Sequence, residues 1–219
     1  MLVPVRTIGK LLKEEGLVRT YRKRRTRYGY KKPLLIPGEL VEIDVKYVPG
    51  MIENREYYQY TAIDCRSRWR FLTIYDAQAS QYSVAFLQQF LDLFPCRVRS
   101  IKTDNHSTFT NYYTGTNKRS DLTVKTLHQL DIFCQEQNII HYLIDPGKPA
   151  QNGTVERSHR EDEEKFYQRN TFSSLTDLQQ KLRLWNEYYN NLEHCSLNGK
   201  TPNEVLQLHQ SQSTPYVLA

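Results

Sequence analysis

The segment Leu40–Val48 constrains the fold of this chain more than any other. Its residues alternate, with Val41, Ile43 and Val45 on one side, as in a strand with one face in a core. Asp44 stands inside this run between apolar neighbours. Burying an isolated charge there is costly, so Asp44 must be paired, protonated or metal-bound.

Further strand-like runs follow. Tyr57–Cys65 and Trp69–Tyr75 are rich in β-formers and are separated by the polar turn Arg66-Ser67-Arg68. Ser80–Phe94 carries Val84, Leu87, Leu91 and Phe94 at helical spacing. Val98–Thr103 is a fourth strand, ending at Asp104. Thr108–Lys125 is polar and reads as a long surface loop. A helix over 124–137, a strand over 139–144 and helices over 153–170 and 175–191 complete the pattern. The order β-β-β-α-β-α-β, then helices, predicts an α/β fold: a mixed five-stranded sheet flanked by helices.

Ahead of this body, Thr7–Gly16 reads as a short amphipathic helix with Thr7 as N-cap and Gly16 as C-cap. Residues 19–32 hold eight cations, Tyr21, Tyr28 and Tyr30, and no acid. Residues 1–38 carry 11 Lys/Arg and 2 acids, a net +9. Residues 39–219 carry the other 19 Lys/Arg and 22 acids, a net −3, so the chain's +6 belongs to the arm. A phosphate-gripping segment attached to a body with another task is the implied division.

The expected organisation is a helical remnant over 1–18, a basic linker over 19–38, a core over 39–203 and a tail over 204–219. No apolar run reaches the ~18 residues of a membrane span, and no signal-peptide core is present. Cys65, Cys96, Cys134 and Cys195 form no C-x-x-C pair, which argues against zinc and for reduced cytosolic thiols.

Chemistry rests on three acids. Asp44 lies within the first strand, Asp104 follows the fourth, and Glu156 opens a helix after the loop Pro146–Gly153. Either aspartate alone reads as a cap or turn residue. Brought together, such hard oxygen donors suit Mg²⁺ or Mn²⁺, and a cation pair catalyses phosphoryl transfer.

These residues resemble the DDE transposases of bacterial insertion sequences, relatives of retroviral integrases with a ribonuclease-H-like core. The resemblance is carried by Ile-Asp-Val-Lys-Tyr around Asp44, by residues 60–69, by Thr103-Asp104-Asn105 and by Trp185–Asn190. His194 and Gly199-Lys200-Thr201-Pro202 add to it, and Pro146–Arg160 is its most specific block.

The resemblance implies a DNA transposase or integrase that cleaves and joins strands. Asp44, Asp104 and Glu156 would be its catalytic residues and the ligands of two Mg²⁺ ions, with Mn²⁺ able to substitute. One metal would activate water or a 3′-OH, and the other would stabilise the leaving oxygen. It implies DNA ends and target as partners, a homo-oligomer on DNA, and a bacterial, cytoplasmic, nucleoid-associated setting.

DNA contacts are expected from Arg22, Lys23, Arg24, Arg25 and Arg27 on the arm. Lys148, Asn152, Arg157 and Arg160 are expected to add contacts near the metals. The N-terminal helix and arm resemble the end of a helix-turn-helix region whose preceding helices are absent, as in a truncated or internally started chain. A truncated, catalytically inactive remnant that binds DNA is the rival reading, and a metal-dependent nuclease that cleaves without joining is another.

Two positions depart from the family pattern. His106 stands where Gly is usual, and Thr108 where an acid is usual. The 51 residues between Asp104 and Glu156 exceed the common spacing, which fits an insertion over 110–124. Asp64 reads either as a fourth site acid or as an ion-pair partner of Arg66 and Arg68. His159 shares the helical face of Glu156, either against DNA or as a surface histidine. Glu161–Glu164 reads as a solvated helix face.

Overall fold

The computed structural model describes residues 4–17, 35–112 and 127–213. The chain divides into two compact units, residues 1–34 and 35–219. In the first, α1 (Val5–Glu14) starts before Thr7, with Pro4 in the N-cap position. The fixed φ of Pro4, −60°, presents its carbonyl to the Thr7 N–H at 2.9 Å. Gly16, at φ +68°, ends the helix: its N–H donates to Lys13 O and the Leu17 N–H to Leu12 O. The basic arm 19–32 lies outside the described residues.

The second unit runs β1 (Val41–Tyr47), β2 (Tyr58–Asp64), β3 (Arg70–Tyr75), α2 (Ser80–Leu93), β4 (Ser100–Thr103), α3 (Gln129–Glu136), β5 (Ile140–Leu143), α4 (Gly153–Lys165), α5 (Leu175–Asn190) and α6 (Pro202–Ser213). The strands form one sheet in the order β3-β2-β1-β4-β5. β1 pairs antiparallel with β2, and β2 with β3. The β1–β4 and β4–β5 pairs are parallel. This is the expected mixed five-stranded sheet flanked by helices.

One sheet face is dry. Val41 and Ile43 from β1, Tyr60 and Ala62 from β2 and Ile101 from β4 pack against Phe86, Leu87 and Phe90 of α2. Each Val, Ile, Leu or Phe side chain so buried contributes about 1.5–3 kcal/mol. The buried stripe of α2 is Ser83, Phe86, Leu87 and Phe90, rotated slightly from the predicted one. Aromatic contacts set the rotation: Phe71 stacks on Phe86, and Trp69 meets Phe90 and Phe94.

The other face is apolar toward β3, where Leu72 and Ile74 meet Leu178 and Leu182 of α5, and at Ile63 of β2, which packs with Val155 of α4 and Tyr189. Under α4 it is polar, with Glu42, Gln59, Thr61 and Arg70 all buried.

Two helices differ from expectation. α3 begins at Gln129, because His128 caps it by accepting the Leu130 N–H at 3.1 Å; residues 124–126 lie outside the described ones. α6 continues through residue 213, where a tail was expected, and buries Leu206 in the main core. Its start is a capping box with Pro202 in the first turn. Thr201 Oγ1 accepts the Glu204 N–H, and Glu204 Oε2 accepts the Thr201 N–H.

Asp64 is structural. Its register partner is Val41, so it faces the dry side, opposite Asp44. Its carboxylate accepts from the N–H groups of Gly38, Arg66 and Ser67 and from Ser67 Oγ. Turn hydrogen bonds thus replace the ion pairs considered with Arg66 and Arg68.

Gly38 sits at φ +83°, where an added Cβ would lie 2.2 Å from the Arg97 carbonyl oxygen. Its carbonyl also accepts the Arg99 N–H at 2.7 Å. Gly38→Ala is expected to cost at least roughly 2 kcal/mol and to lower the melting temperature by about 5 °C, as differential scanning calorimetry will register.

Candidate active site

The polar face places the three predicted acids near one another. Alternation turns Glu42, Asp44 and Lys46 of β1 away from the dry core. The parallel β1–β4 register pairs Val41 with Ile101 and Glu42 with Lys102. Continued by two residues, it sets Asp44 level with Asp104, the first residue past the end of β4. Glu156 lies in the first turn of α4, which packs over β1.

Glu42, which sequence reasoning missed, fixes that first turn. It is 4% exposed. Its Oε2 accepts the N–H groups of Thr154 and Val155 at 2.7 and 3.1 Å, two donors a helix start leaves unsatisfied. Its Oε1 lies 3.0 Å from Lys102 Nζ on β4. Asn152 Nδ2 donates to Ile43 O at 3.3 Å and pins the preceding turn to the same strand.

The carboxylates feel one another. Burial pushes the Asp104 carboxyl above the ordinary range, and the charge of Asp44 pushes it further; the His106 N–H, 3.0 Å from Asp104 Oδ1, opposes the shift. Burial also raises Glu156, and Asp44 and Glu42 add to this, while His159 and Arg160 oppose it. Asp44 is therefore the neighbour that Asp104 and Glu156 share. His159 Nδ1 stands 3.4 Å from Asp44 Oδ2, and its Nε2 is buried without a partner among the described residues. As placed, no group of three His, Cys, Asp or Glu among the described residues could hold a metal ion. The donor chemistry nonetheless suits a hard cation: Asp44, Asp104 and Glu156 all offer carboxylate oxygens, with no thiolate among them.

The predicted DNA-contact residues fall into four groups. Arg22, Lys23, Arg24, Arg25 and Arg27 lie outside the described residues. Arg157 and Arg160 are exposed on α4. Lys148 is exposed but held by Asp145, with Nζ 2.6 Å from Oδ2. Asn152 is buried, so its side chain braces the loop against β1.

His106 and Thr108, the two departures, bind each other: Nδ1 of His106 lies 2.8 Å from Thr108 Oγ1 and also accepts the Thr108 N–H. They close the turn that follows Asp104. Asn105 Nδ2 ties that turn to Ile144 O, just beyond β5.

The expected solvated face Glu161–Glu164 is not solvated throughout. Asp162 is fully buried, 2.8 Å from Arg70 Nη1, and accepts from Trp185 Nε1 and Gln59 Nε2. Glu163 meets Lys46 Nζ at 2.7 Å. The cause is the polar patch of the sheet beneath α4, which leaves buried donors in need of acceptors.

Comparison with known proteins gives the family and the fold. The family described as Integrase core domain matches residues 35–149, more than half of the chain, and a second family of the same description matches residues 137–202. The chain belongs to the integrase core domain family.

Among its relatives is the "Putative integrase ORF3" of Spiroplasma virus SpV1-C74, 28% identical over 198 residues, which cover 87% of this chain and 52% of the viral protein. The integrase core here thus spans about half the length of that relative.

In three dimensions it is similar to a chain of the simian T-cell lymphotropic virus intasome solved with PP2A regulatory subunit B56 gamma. The TM-score is 0.61 at 18% identity, over 91% of this chain and 63% of that one. It is also similar to the catalytic core domain of BIV integrase, with TM-score 0.57 and 16% identity over 80% of this chain and 97% of that one. The HTLV-2 integrase catalytic core domain in complex with magnesium gives TM-score 0.55 and 18% identity, over 78% and 97%. These likenesses establish a ribonuclease-H-like fold. Among the described residues, no helix is long and apolar enough to cross a membrane.

Proposed function

We propose that this integrase core is a DDE-type polynucleotidyl transferase that cleaves DNA strands and joins them to a target. The observation that carries the proposal is the placement of the acids: the parallel β1–β4 register, continued by two residues, sets Asp44 level with Asp104, and Glu156 lies in the first turn of α4, which packs on β1. Among the described residues, His159 and Arg160 oppose the like charge at Glu156, and His106 opposes it at Asp104.

Asp44, Asp104 and Glu156 would hold two divalent cations, Mg²⁺ or Mn²⁺. Bound ions supply Lewis-acid stabilisation of charge on phosphoryl and leaving oxygens and make bound water more acidic. The protein's own residues bind and orient. His159, on α4, faces Asp44 with Nδ1 3.4 Å from Oδ2. Arg157 and Arg160 offer charge-assisted hydrogen bonds to DNA phosphates beside Glu156. Lys148 joins them once released from Asp145. The arm residues Arg22, Lys23, Arg24, Arg25 and Arg27 supply sequence-independent, salt-sensitive grip. The active species on DNA is a homo-oligomer, and the setting is cytoplasmic DNA.

A joining assay tests this reading against plain nuclease activity. Purified protein is incubated with Mn²⁺ or Mg²⁺, a labelled duplex bearing free 3′-OH ends and a supercoiled plasmid. Labelled DNA covalently attached to plasmid, absent with EDTA, is expected. Cleaved plasmid without joined label contradicts the transferase assignment. Neither product, with DNA still bound, favours an inactive DNA-binding remnant.

A further inference from the structure

We infer that Glu42 is a positioning residue that registers the three elements carrying the proposed metal-binding acids. The inference rests on the reading of Asp44, Asp104 and Glu156 given above. Glu42 belongs to β1, two residues before Asp44 and on the same sheet face. Its Oε1 meets Lys102 Nζ at 3.0 Å, and Lys102 belongs to β4, two residues before Asp104. Its Oε2 accepts the Thr154 and Val155 N–H groups of α4, at and one before the residue preceding Glu156. A single buried carboxylate thus ties the strand of the first acid to the strand of the second and to the helix turn of the third.

The chemistry suits the role. A helix N-terminus attracts negative charge, and two N–H groups aimed at one oxygen define where the first turn sits. The ion pair with Lys102 fixes the other oxygen. Lys102 and Glu42 side chains are only 18% and 5% exposed, so neither swings freely through solvent. An apolar residue of similar size, with no oxygen to accept the Thr154 and Val155 N–H groups, would not fix the rotation of α4 about its axis. That rotation decides where Glu156 and His159 point relative to Asp44.

The test compares Glu42→Ala, Glu42→Gln, Leu178→Ala and Asp44→Asn with wild type. Leu178 is fully buried in the cluster under α5 and serves as a control for lost stability alone. Mn²⁺ alone is titrated by calorimetry, amide exchange is followed at Thr154 and Val155, and kcat and KM for plasmid nicking are measured.

Glu42→Ala is expected to weaken Mn²⁺ binding by about 10- to 100-fold, to speed exchange at both amides and to lower kcat with KM for DNA unchanged. Glu42→Gln, which keeps an oxygen acceptor, is expected to fall between. Leu178→Ala is expected to bind Mn²⁺ as wild type does. Wild-type Mn²⁺ affinity in folded Glu42→Ala, or an equal loss in Leu178→Ala, overturns the inference alone. If wild type binds no Mn²⁺, or Asp44→Asn binds it equally well, the reading of the acid site falls and the role of Glu42 falls with it.

Discussion

Asp44→Asn is expected to lower metal-dependent DNA cleavage by about a thousandfold, roughly 4 kcal/mol of transition-state stabilisation, without destabilising the metal-free protein. Both halves follow from the same geometry. Asp104 and Glu156 both carry carboxyls raised by burial first and by the charge of Asp44 next. Removing that charge removes a proposed metal ligand and also a repulsion.

The sign of the pH dependence follows. A carboxyl raised on folding gives stability that is complete below its unfolded value, about 4, and is lost as pH rises through the folded value. Metal-free wild type therefore loses the contribution of Asp104 and Glu156 as pH climbs from the acid range toward neutrality. Asp44→Asn loses less, so the difference in melting temperature between variant and wild type grows in favour of the variant over that window. Added metal reverses the order. At ten times Kd a bound ion stabilises wild type by about 1.4 kcal/mol, or roughly 3–5 °C, and the variant by much less. Thermal melts at several pH values, with EDTA or Mn²⁺, measure both effects. A variant that melts below metal-free wild type at neutral pH contradicts the account of the repulsion.

The largest loss of stability is expected at Asp162. Arg70 and Asp162 are both fully buried. Burial alone would push the Asp162 carboxyl up, but Arg70, Trp185 and Gln59 outweigh it and hold the carboxyl below the ordinary range. Arg70 also donates to Ser158 Oγ and lies 3.7 Å from the Tyr189 ring centroid. Its Nε and Nη2 find no partner among the described residues, so it has little to fall back on.

Asp162→Ala leaves a buried guanidinium without a counter-ion and strands the Trp185 and Gln59 donors. The expected cost is about 3–5 kcal/mol, a fall in melting temperature of roughly 10 °C. Asp162→Asn keeps an acceptor oxygen and is expected to lose less. For wild type the sign is opposite to that of the site acids. The contribution of Asp162 is present above the unfolded carboxyl value and is lost as pH falls through the lower folded value. Calorimetric melts at neutral pH and at pH about 3 test this; a change under about 1 kcal/mol in Asp162→Ala would show the pair to be replaceable at no cost.

How much of this was legible in the sequence depends on the range of the cause. β1 was legible because its dry face reads Val41, Ile43, Val45 at period 2, and the same period turns Asp44 the other way. The sheet and the order of its elements followed from similar local patterns. α6 was legible but unread: Thr-Pro-Asn-Glu at 201–204 is a capping box with Pro in the first turn.

The burial of Asp162 was half legible. Val155, Ser158 and Asp162 are the buried positions of α4 and share one helical face, yet four consecutive acids at 161–164 suggest solvent. The deciding partner, Arg70, is 92 residues away in sequence. Glu42 belongs to the same class. Its shared face with Asp44 could be read from alternation, but the helix N-terminus that it meets is 112 residues distant. The pairing of His106 with Thr108 is local, and it joins the two departures from the family pattern in one turn.

The central claim is that Asp44, Asp104 and Glu156 act as one metal-dependent site on DNA. Its most direct test is nicking of supercoiled plasmid by purified wild type, Asp44→Asn, Asp104→Asn and Glu156→Gln, each with Mn²⁺ and with EDTA. The account predicts nicking by wild type with Mn²⁺, none with EDTA, and loss in all three folded variants. Nicking by any one of the variants at the wild-type rate would contradict it.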